Sequence, residues 1–296
     1  MNKTTQNENH ALKQIKRRSM MREALERLVR NKTAMSGLFI LLVIAILCAL
    51  AGVICPEGYD EQNYAIAFMT PCKEYPFGTD NLGRSMLARI LYGGRVSLSI
   101  GLISTGISAS LGLILGSLAG FYGNKVDNII MRTLDVFHAI PSTLLAIAIS
   151  SALGGGIVNA MIAVGISSVP GFAKMVRAPI LAIKNQEFVE AARCIDASDW
   201  RIIFKHVVPN VISPVIITIT GQLAAAVLAA SSLSFLGLGV QPPTPEWGSL
   251  IANSRQYIRD YPYLVTFPGI AIATVVLSMN LFGDGLRDAL DPKLKN

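Results

Sequence analysis

The chain has 296 residues, of which 52% are hydrophobic and only 15% are charged. Because soluble domains carry about 25% charged residues, this composition excludes an ordinary soluble globular protein. The formal net charge is +7, but the positive residues flank apolar runs and form no aromatic-interleaved face. We therefore expect them to orient the chain in a lipid bilayer, and we expect no nucleic-acid partner.

The first 33 residues are basic and polar, and we predict that they form a cytoplasmic arm. Apolar residues recur within it at roughly helical spacing: Leu12, Ile15, Met21, Leu25 and Leu28. This pattern predicts an amphipathic helix on the anionic inner leaflet, and a disordered arm is the alternative. No cleavable signal peptide is evident, so we expect the first long apolar stretch to remain as a signal anchor.

Six long stretches carry little or no charge, and each predicts a membrane-spanning helix. A helix rises about 1.5 Å per residue and a hydrocarbon core is about 30 Å thick, so about 20 residues suffice to cross it. Three consecutive glycines, residues 154–156, divide one stretch that is too long for a single helix. The predicted spans are residues 37–55, 96–121, 134–152, 157–173, 211–233 and 261–283. The predicted fold class is all-α integral membrane with six transmembrane helices.

The distribution of positive charge predicts the orientation of these helices. An even number of spans puts both termini on one side, and that side holds 20 of the 26 Lys and Arg residues. Because cytoplasmic loops collect Lys and Arg, we predict that both termini are cytoplasmic. The chain then divides into the arm, a first span with an extracytoplasmic segment, a core of five spans that contains a charged loop at 177–209, and a cytoplasmic tail: residues 1–33, 34–95, 96–284 and 285–296.

The four cysteines form no CxxC pair, so they do not match redox or zinc motifs of that type. We interpret Cys48 and Cys194 as small hydrophobic residues. Cys55 and Cys72 both fall outside the membrane in the predicted topology. A disulfide between them is one reading and two free thiols the other, because sequence does not give their separation.

Small residues recur every four positions along the second predicted span: Ser104, Ser108, Gly112, Gly116 and Gly120. Residues four apart share one face of a helix, and a face of small side chains lets another helix approach closely. We therefore predict a helix-packing stripe, which faces either a second subunit or gating helix, or another helix of this chain.

Other residues in the spans leave two readings open. His138, at the start of the third predicted span, either lines a pathway or is a packed residue with satisfied hydrogen bonds. Four prolines predict hinges or tolerated kinks: Pro141, Pro170, Pro214 and Pro268.

Catalytic motifs are missing from the sequence. It contains no Gly-Lys dipeptide, and hence no Walker A phosphate-binding loop, and no HExxH, GxSxG or EF-hand pattern. We therefore expect no enzyme activity, cofactor or metal in this chain.

The loop at 177–209 is charged and amphipathic although it lies between long apolar runs. We predict a short helix over Phe188–Ile195, then a break with Asp196 in a left-handed conformation and Ser198 as the N-cap of a second helix. Apolar residues of that second helix share one face at helical spacing: Trp200, Ile203, Phe204 and Val207.

The first predicted helix of this loop has features of a docking surface. Ala191 and Ala192 are small enough for a partner to approach the backbone, and Glu190 offers a charge for an ion pair or a cap. The alternative is a solvated amphipathic connector with no partner.

Four groups of residues resemble motifs of the C-type permease subunit of the dipeptide, oligopeptide and nickel ABC importers. The first is Pro76–Arg84 with Arg89–Arg95 and Ser97–Leu98, and the second is Asp135–Phe137 with Ile140–Ser142. The third is Glu190–Ala192 with Ala197–Asp199, Arg201–Phe204, His206 and Pro209–Asn210, and the fourth is Ser232–Gly239 with Pro242–Pro243 and Glu246–Gly248. They occur in the order found in that family, and the resemblance covers roughly residues 30–296. It implies the type I permease fold of ABC importers, with cytoplasmic coupling helices.

The resemblance implies that the charged loop docks an ATPase. The residues carried over are a docking core and its flanks: Glu190, Ala191 and Ala192, with Arg193, Asp196 and Arg201. The family usually has glycine between the two short helices, where this chain has Asp196. Aspartate tolerates a positive φ less easily than glycine, so the path of this turn needs testing.

The resemblance also implies the partners and the cargo. They are a homologous permease subunit, two ABC ATPase subunits that bind ATP and Mg²⁺, and an extracytoplasmic solute-binding protein, assembled in the bacterial plasma membrane to import peptides. The alternative cargo is nickel or a metal chelate. An ATP-independent secondary transporter fits less well, because that class places charged or polar groups within its spans.

Overall fold

The computed structural model describes residues 20–290, so residues 1–19 of the predicted arm and residues 291–296 of the tail lie outside the described residues. Within this range the regular structure is helical, with one isolated bridge between Thr79 and Ser85, and turns and loops join the helices. The longer helices are α1 (Met20–Arg30), α2 (Lys32–Ala49), α3 (Met86–Tyr122), α4 (Asn124–His138), α5 (Ser142–Leu153), α6 (Ile157–Ile183), α7 (Glu187–Cys194), α8 (Ile212–Phe235), α9 (Trp247–Ser254) and α10 (Tyr263–Leu290). Shorter helical turns are Ala51–Ile54, Tyr64–Ile66, Asp199–Arg201, Ile202–Val207, Val208–Asn210 and Arg255–Tyr257.

Within residues 20–290, five helices are long and apolar enough to cross a membrane: α2, α3, α6, α8 and α10. The pair α4 and α5 makes a sixth span if it is taken as one, although the two helices are bent by 87° at the break between them. The span predicted over 134–152 is therefore present only as part of a bent pair, because the structure breaks the helix between His138 and Ser142. Pro141 has no N–H with which to continue α4, and the 12 residues of α5 rise only about 18 Å.

The helix α3 begins well before its predicted start and has 37 residues. The predicted span began after Arg95, because charged residues were taken to end it. The structure includes both Arg89 and Arg95 in α3 and gives each of them a partner. Arg89 Nη1 lies 2.8 Å from Asp80 Oδ2, and Arg95 Nε donates to the carbonyl of Cys48 at 2.6 Å. Charge that is paired in this way does not end a helix.

Three of the four prolines singled out in the sequence lie inside helices. Pro170 is within α6 and Pro268 is within α10, while Pro214 lies in the first turn of α8. The structure therefore places none of these three prolines at a break between helices, and Pro214 in the first turn removes no hydrogen bond within α8. Pro141 differs, because it stands at the corner between α4 and α5.

The helices α3 and α6 pack along the stripe of small residues, and all five members of the stripe are buried. A Cβ added to Gly112 would lie 2.8 Å from the Cβ of Phe172 on α6. Further along the stripe, Ser104 Oγ donates to the carbonyl of Met161 at 3.0 Å. The stripe thus faces a helix of the same chain, which favours packing within the chain over a seam with a second subunit.

The segment of residues 184–211 between α6 and α8, here called the connecting segment, lies at one end of the bundle. At the opposite end, Glu246 is 0% exposed and caps α9. Its carboxylate accepts hydrogen bonds from Ser97 Oγ of α3 at 2.9 Å, from Ser231 Oγ of α8 at 3.1 Å and from the backbone N–H of Ser249 at 2.9 Å. One buried carboxylate therefore joins three helices at this end.

All four cysteines are free, so the structure contains no disulfide between Cys55 and Cys72. Cys48 and Cys55 are buried, whereas Cys194 is exposed, contrary to its interpretation as a packed hydrophobic residue. In the described part of the arm, Leu28 is buried in a cluster with Ala289 of α10. The arm is thus joined to the bundle at this point.

We expect Gly116→Ala to destabilise the bundle, because the added Cβ would meet the backbone carbonyl of Ala173 on α6. Overpacking of this kind costs about 1–3 kcal/mol. A lower midpoint of thermal unfolding in detergent would show the effect.

Gly106→Ala is the matched control, because a Cβ added to Gly106, in the same helix, has nothing within 4 Å. Both changes gain up to about 1 kcal/mol of helix propensity. Equal stability of the two variants would contradict the close approach of α3 and α6.

Candidate functional site

The connecting segment begins with α7 and then turns sharply. Asp196 has a φ of +54°, so the left-handed conformation predicted for it is confirmed. The turn is closed by a backbone hydrogen bond of 3.2 Å from the Ala197 N–H to the Ala192 carbonyl. Ser198 stands at the predicted N-cap position, but its side chain makes no capping hydrogen bond. Aspartate therefore supports this turn in place of glycine.

One face of the connecting segment is buried against the bundle. Its buried residues are Val189, Ala192, Ile202, Ile203, Val207, Val208 and Val211. They form a single cluster, here called the shared core, with the ends of α3 and α8 and the second half of α6: Phe121 of α3, Phe172, Val176 and Ile180 of α6, and Val215 of α8. Because these contacts are continuous, a displacement of α7 displaces the ends of α3, α6 and α8 with it.

The structure places the six predicted coupling residues on two sides of the segment. Five are exposed: Glu190, Ala191, Arg193, Asp196 and Arg201. Ala192 is only 5% exposed and belongs to the shared core, so its side chain is not on the surface that a partner would meet. Arg193 lies with its guanidinium 5.4 Å from the ring centre of Phe121, which links the exposed face to α3.

Sequence reasoning missed two exposed apolar side chains beside these charges. Ile195 is 78% exposed and Trp200 is 61% exposed. They add exposed apolar area to the surface that carries the charged residues. The position of Trp200 between Asp199 and Arg201 is a signal that could have indicated a surface location.

The backbone explains why Trp200 does not share a face with Ile203 and Val207, as the sequence predicted. Residues Ile202–Val207 form a π-helical turn, with wider hydrogen-bond spacing than an α-helix. Ile203 and Val207 are completely buried, whereas Trp200 is exposed and packs its ring 4.3 Å from that of Phe204. The predicted face of four apolar residues is therefore divided between the core and the surface.

Two ion pairs join α4 to α6 near the connecting segment. Arg177 Nε and Nη2 donate to the two carboxylate oxygens of Asp127, each at 2.5 Å. Lys174 Nζ lies 2.7 Å from Asp135 Oδ1. A bidentate pair fixes orientation as well as distance, so α4 is held to α6 at two points along its length.

A groove of about 420 Å³ opens between α6, α8 and the corner that joins α4 to α5. Its polar lining residues include His138, Ser142, Thr143, Thr218, Gln222 and Ser232. His138 thus lies where a pathway-lining role is geometrically available. Among the described residues, no group of three or more His, Cys, Asp or Glu is placed to hold a metal ion.

Two family descriptions match the chain. "N-terminal TM domain of oligopeptide transport permease C" matches residues 19–71. "Binding-protein-dependent transport system inner membrane component" matches residues 112–296, which is more than half of the chain.

Relatives and solved structures agree with these matches. The dipeptide transport system permease protein DppC of Alkalihalophilus pseudofirmus is 42% identical over 94% of this chain and 91% of its own length. The glutathione transport system permease protein GsiD of Pectobacterium atrosepticum is 42% identical over 94% of this chain and 93% of its own length.

Inward facing structures of the MetNI methionine ABC transporter include a chain that is 18% identical, with a TM-score of 0.56 over 70% of this chain and 98% of that chain. This likeness shows a shared fold, and it confirms the predicted all-α permease architecture. With the family match over residues 112–296 and relatives this similar along nearly their whole length, the chain belongs to the family of binding-protein-dependent transport system inner membrane components, the permease subunits of ABC importers.

Proposed function

We propose that this chain is one of two permease subunits in an ATP-driven importer of peptides. The observation that carries the proposal is the two-sided connecting segment. Its exposed face holds Glu190, Ala191 and Arg193, and its buried face shares a core with three spanning helices. Such a segment receives force from a docked subunit and passes it into the membrane. The names of the relatives, which are dipeptide and glutathione transport permeases, support a peptide cargo.

In the proposed complex, the second permease subunit is homologous to this chain. Two ABC ATPase subunits bind ATP and Mg²⁺, and an extracytoplasmic solute-binding protein delivers the peptide. This chain performs no catalysis and binds no cofactor and no nucleic acid. We place the complex in the bacterial plasma membrane with both termini in the cytoplasm, because 20 of the 26 Lys and Arg residues lie on that side of the six-span topology.

The proposed force path starts at α7. An ATPase subunit docks on Glu190 and its exposed neighbours, and Ile195 and Trp200 add apolar contact area to this surface. Closure of the ATPase pair on ATP displaces α7, and the shared core carries that displacement to α3, α6 and α8. The ion pairs on α6 carry it to α4, and through the corner to α5. Two discrete arrangements of the permease pair then alternate.

Reconstitution tests this proposal. We expect proteoliposomes that contain the two permeases and two ATPases to accumulate a labelled dipeptide when the loaded binding protein is outside and ATP is inside. Accumulation of a nickel chelate in place of the dipeptide would contradict the cargo. Accumulation that is equally fast without ATP would contradict the mechanism.

We expect Glu190→Lys to leave membrane insertion intact and to uncouple ATP hydrolysis from uptake, because it reverses a charge on the exposed face of α7. Uptake by the reconstituted complex should fall by about tenfold or more, since like charges facing each other across an interface cost several kcal/mol. The measurement is the number of peptides transported per ATP hydrolysed.

Asp288→Lys is the matched control for Glu190→Lys. It makes the same charge reversal at an exposed site in the last turn of α10, outside the connecting segment. Normal coupling is expected for this variant. Normal uptake by Glu190→Lys would refute the assignment of Glu190 to docking.

We expect Arg177→Asp to slow transport while ATP hydrolysis continues, because two carboxylates would then face each other where α4 is held to α6. The exchanged pair Asp127→Arg with Arg177→Asp should restore transport, since the ion pair is re-formed in the opposite sense. Failure of the exchange to restore any transport would argue against this link in the force path.

A further inference from the structure

The groove between α6, α8 and the α4–α5 corner has a polar lining of two kinds. Hydroxyl groups on the two spanning helices donate within their own helix: Thr218 Oγ1 to the Pro214 carbonyl at 2.9 Å, Ser232 Oγ to the Leu228 carbonyl at 2.8 Å, and Ser167 Oγ and Ser168 Oγ to the Val164 carbonyl at 3.0 Å. Their donors are therefore satisfied in the absence of any solute.

Gln222 differs from these hydroxyl residues. It lines the same groove and is half-buried, but within residues 20–290 its side-chain amide has no hydrogen-bond partner. An amide carries two N–H donors and a carbonyl acceptor with two lone pairs. Gln222 is thus the lining residue of α8 with free donors as well as a free acceptor.

The position of Gln222 along α8 makes an amide without a hydrogen-bond partner unusual. In α8, which runs from Ile212 to Phe235, it lies about 15 Å from one end and about 20 Å from the other, at 1.5 Å per residue. This is near the middle of a bilayer, where a polar side chain without a partner is costly. Such a group is tolerated where it faces a pathway that water or a polar solute enters.

The lining residues of α8 in the turn after Gln222 are small, although Leu228 further along also lines the groove. Ala225, Ala226 and Ala229 also line the groove, so the amide stands beside space that other side chains do not fill. The lining contains no Asp, Glu, Lys or Arg, and His138 is its one ionisable member among the described residues. The lining therefore offers hydrogen bonds without a fixed carboxylate, ammonium or guanidinium charge to select solutes by charge.

We infer that Gln222 contacts the backbone amides of the peptide during its passage, donating to a peptide carbonyl and accepting from a peptide N–H. This inference rests on the proposed function, since it takes a peptide as the solute. An amide of the solute matches both halves of the glutamine amide, and every peptide presents one whatever its side chains. The groove thus contacts the main chain of the peptide, and selection among peptide side chains takes place in other parts of the complex.

The test compares a dipeptide with its depsipeptide analogue, in which an ester oxygen replaces the backbone N–H. Both are presented on the binding protein to the reconstituted complex, and the maximal transport rate is measured for each. For Gln222→Leu we expect a fall of about three- to tenfold with the dipeptide, as for the loss of a hydrogen bond to a polar group. With the depsipeptide we expect a clearly smaller fall.

Thr218→Val is the matched control, because it removes a groove-lining hydroxyl that is already bonded to Pro214 one turn earlier in α8. We expect its rate with the dipeptide to stay within about twofold of the unchanged protein, since no donor to the solute is lost. Gln222→Asn keeps an amide with a shorter reach, so we expect an intermediate rate with the dipeptide.

The outcomes separate this inference from the function on which it rests. Absence of ATP-dependent dipeptide uptake in the unchanged complex would overturn the proposed function, and this inference with it. Normal uptake by that complex, together with an equal fall for both solutes in Gln222→Leu, would assign Gln222 a packing role and overturn the inference alone. If Gln222→Leu fails to assemble with the ATPases, Gln222→Asn decides, and an unchanged ratio of the two solutes would overturn the inference.

Discussion

The apolar contact between the connecting segment and the ends of α3, α6 and α8 is the constraint on which the rest of this structure depends. Val189, Ile202 and Ile203 are completely buried there, and burial of each such side chain stabilises the contact by about 1.5–3 kcal/mol. A solvated connector would bend when it was pushed. A connector packed to the density of a protein interior moves with the helices that it contacts.

The polar contacts around the shared core connect it to the other helices. The pair Arg177–Asp127 holds α4 to α6, and α6 enters the shared core through Val176 and Ile180. The corner between α4 and α5 forms one wall of the groove. A physical connection therefore runs from the exposed surface of α7 to the lining of the groove through packed side chains and ion pairs within this one chain.

Most of the spanning helices could be predicted from the length of the uncharged runs, because a run of about 20 apolar residues has few alternatives to crossing a bilayer. The start of α3 could not be predicted in this way, since the partner of Arg89 is Asp80, and only the folded loop brings them together. The 87° bend between α4 and α5 lies at Pro141. The sequence alone did not decide whether this proline is a hinge or a tolerated kink.

The exposed face of α7, which we propose as a docking surface, was only partly predictable for a geometric reason. Adjacent residues of a helix point about 100° apart, so Ala191 and Ala192 lie on different parts of α7, and the shared core decides that Ala192 is the buried one. The exposure of Trp200 depends on the π-helical turn that follows it. A turn of that kind has no periodic signature in the sequence.

The buried carboxylate of Glu246 has a consequence for how such a subunit changes shape. It clamps α3 and α8 at one end, while the apolar cluster holds the same two helices at the other. Helices fixed at both ends resist flexing between them, so in the proposed mechanism this chain moves as a rigid body. In the complex that we propose, the aperture for the solute is then set at the boundary with the second permease subunit, and its width depends on the angle between the two subunits.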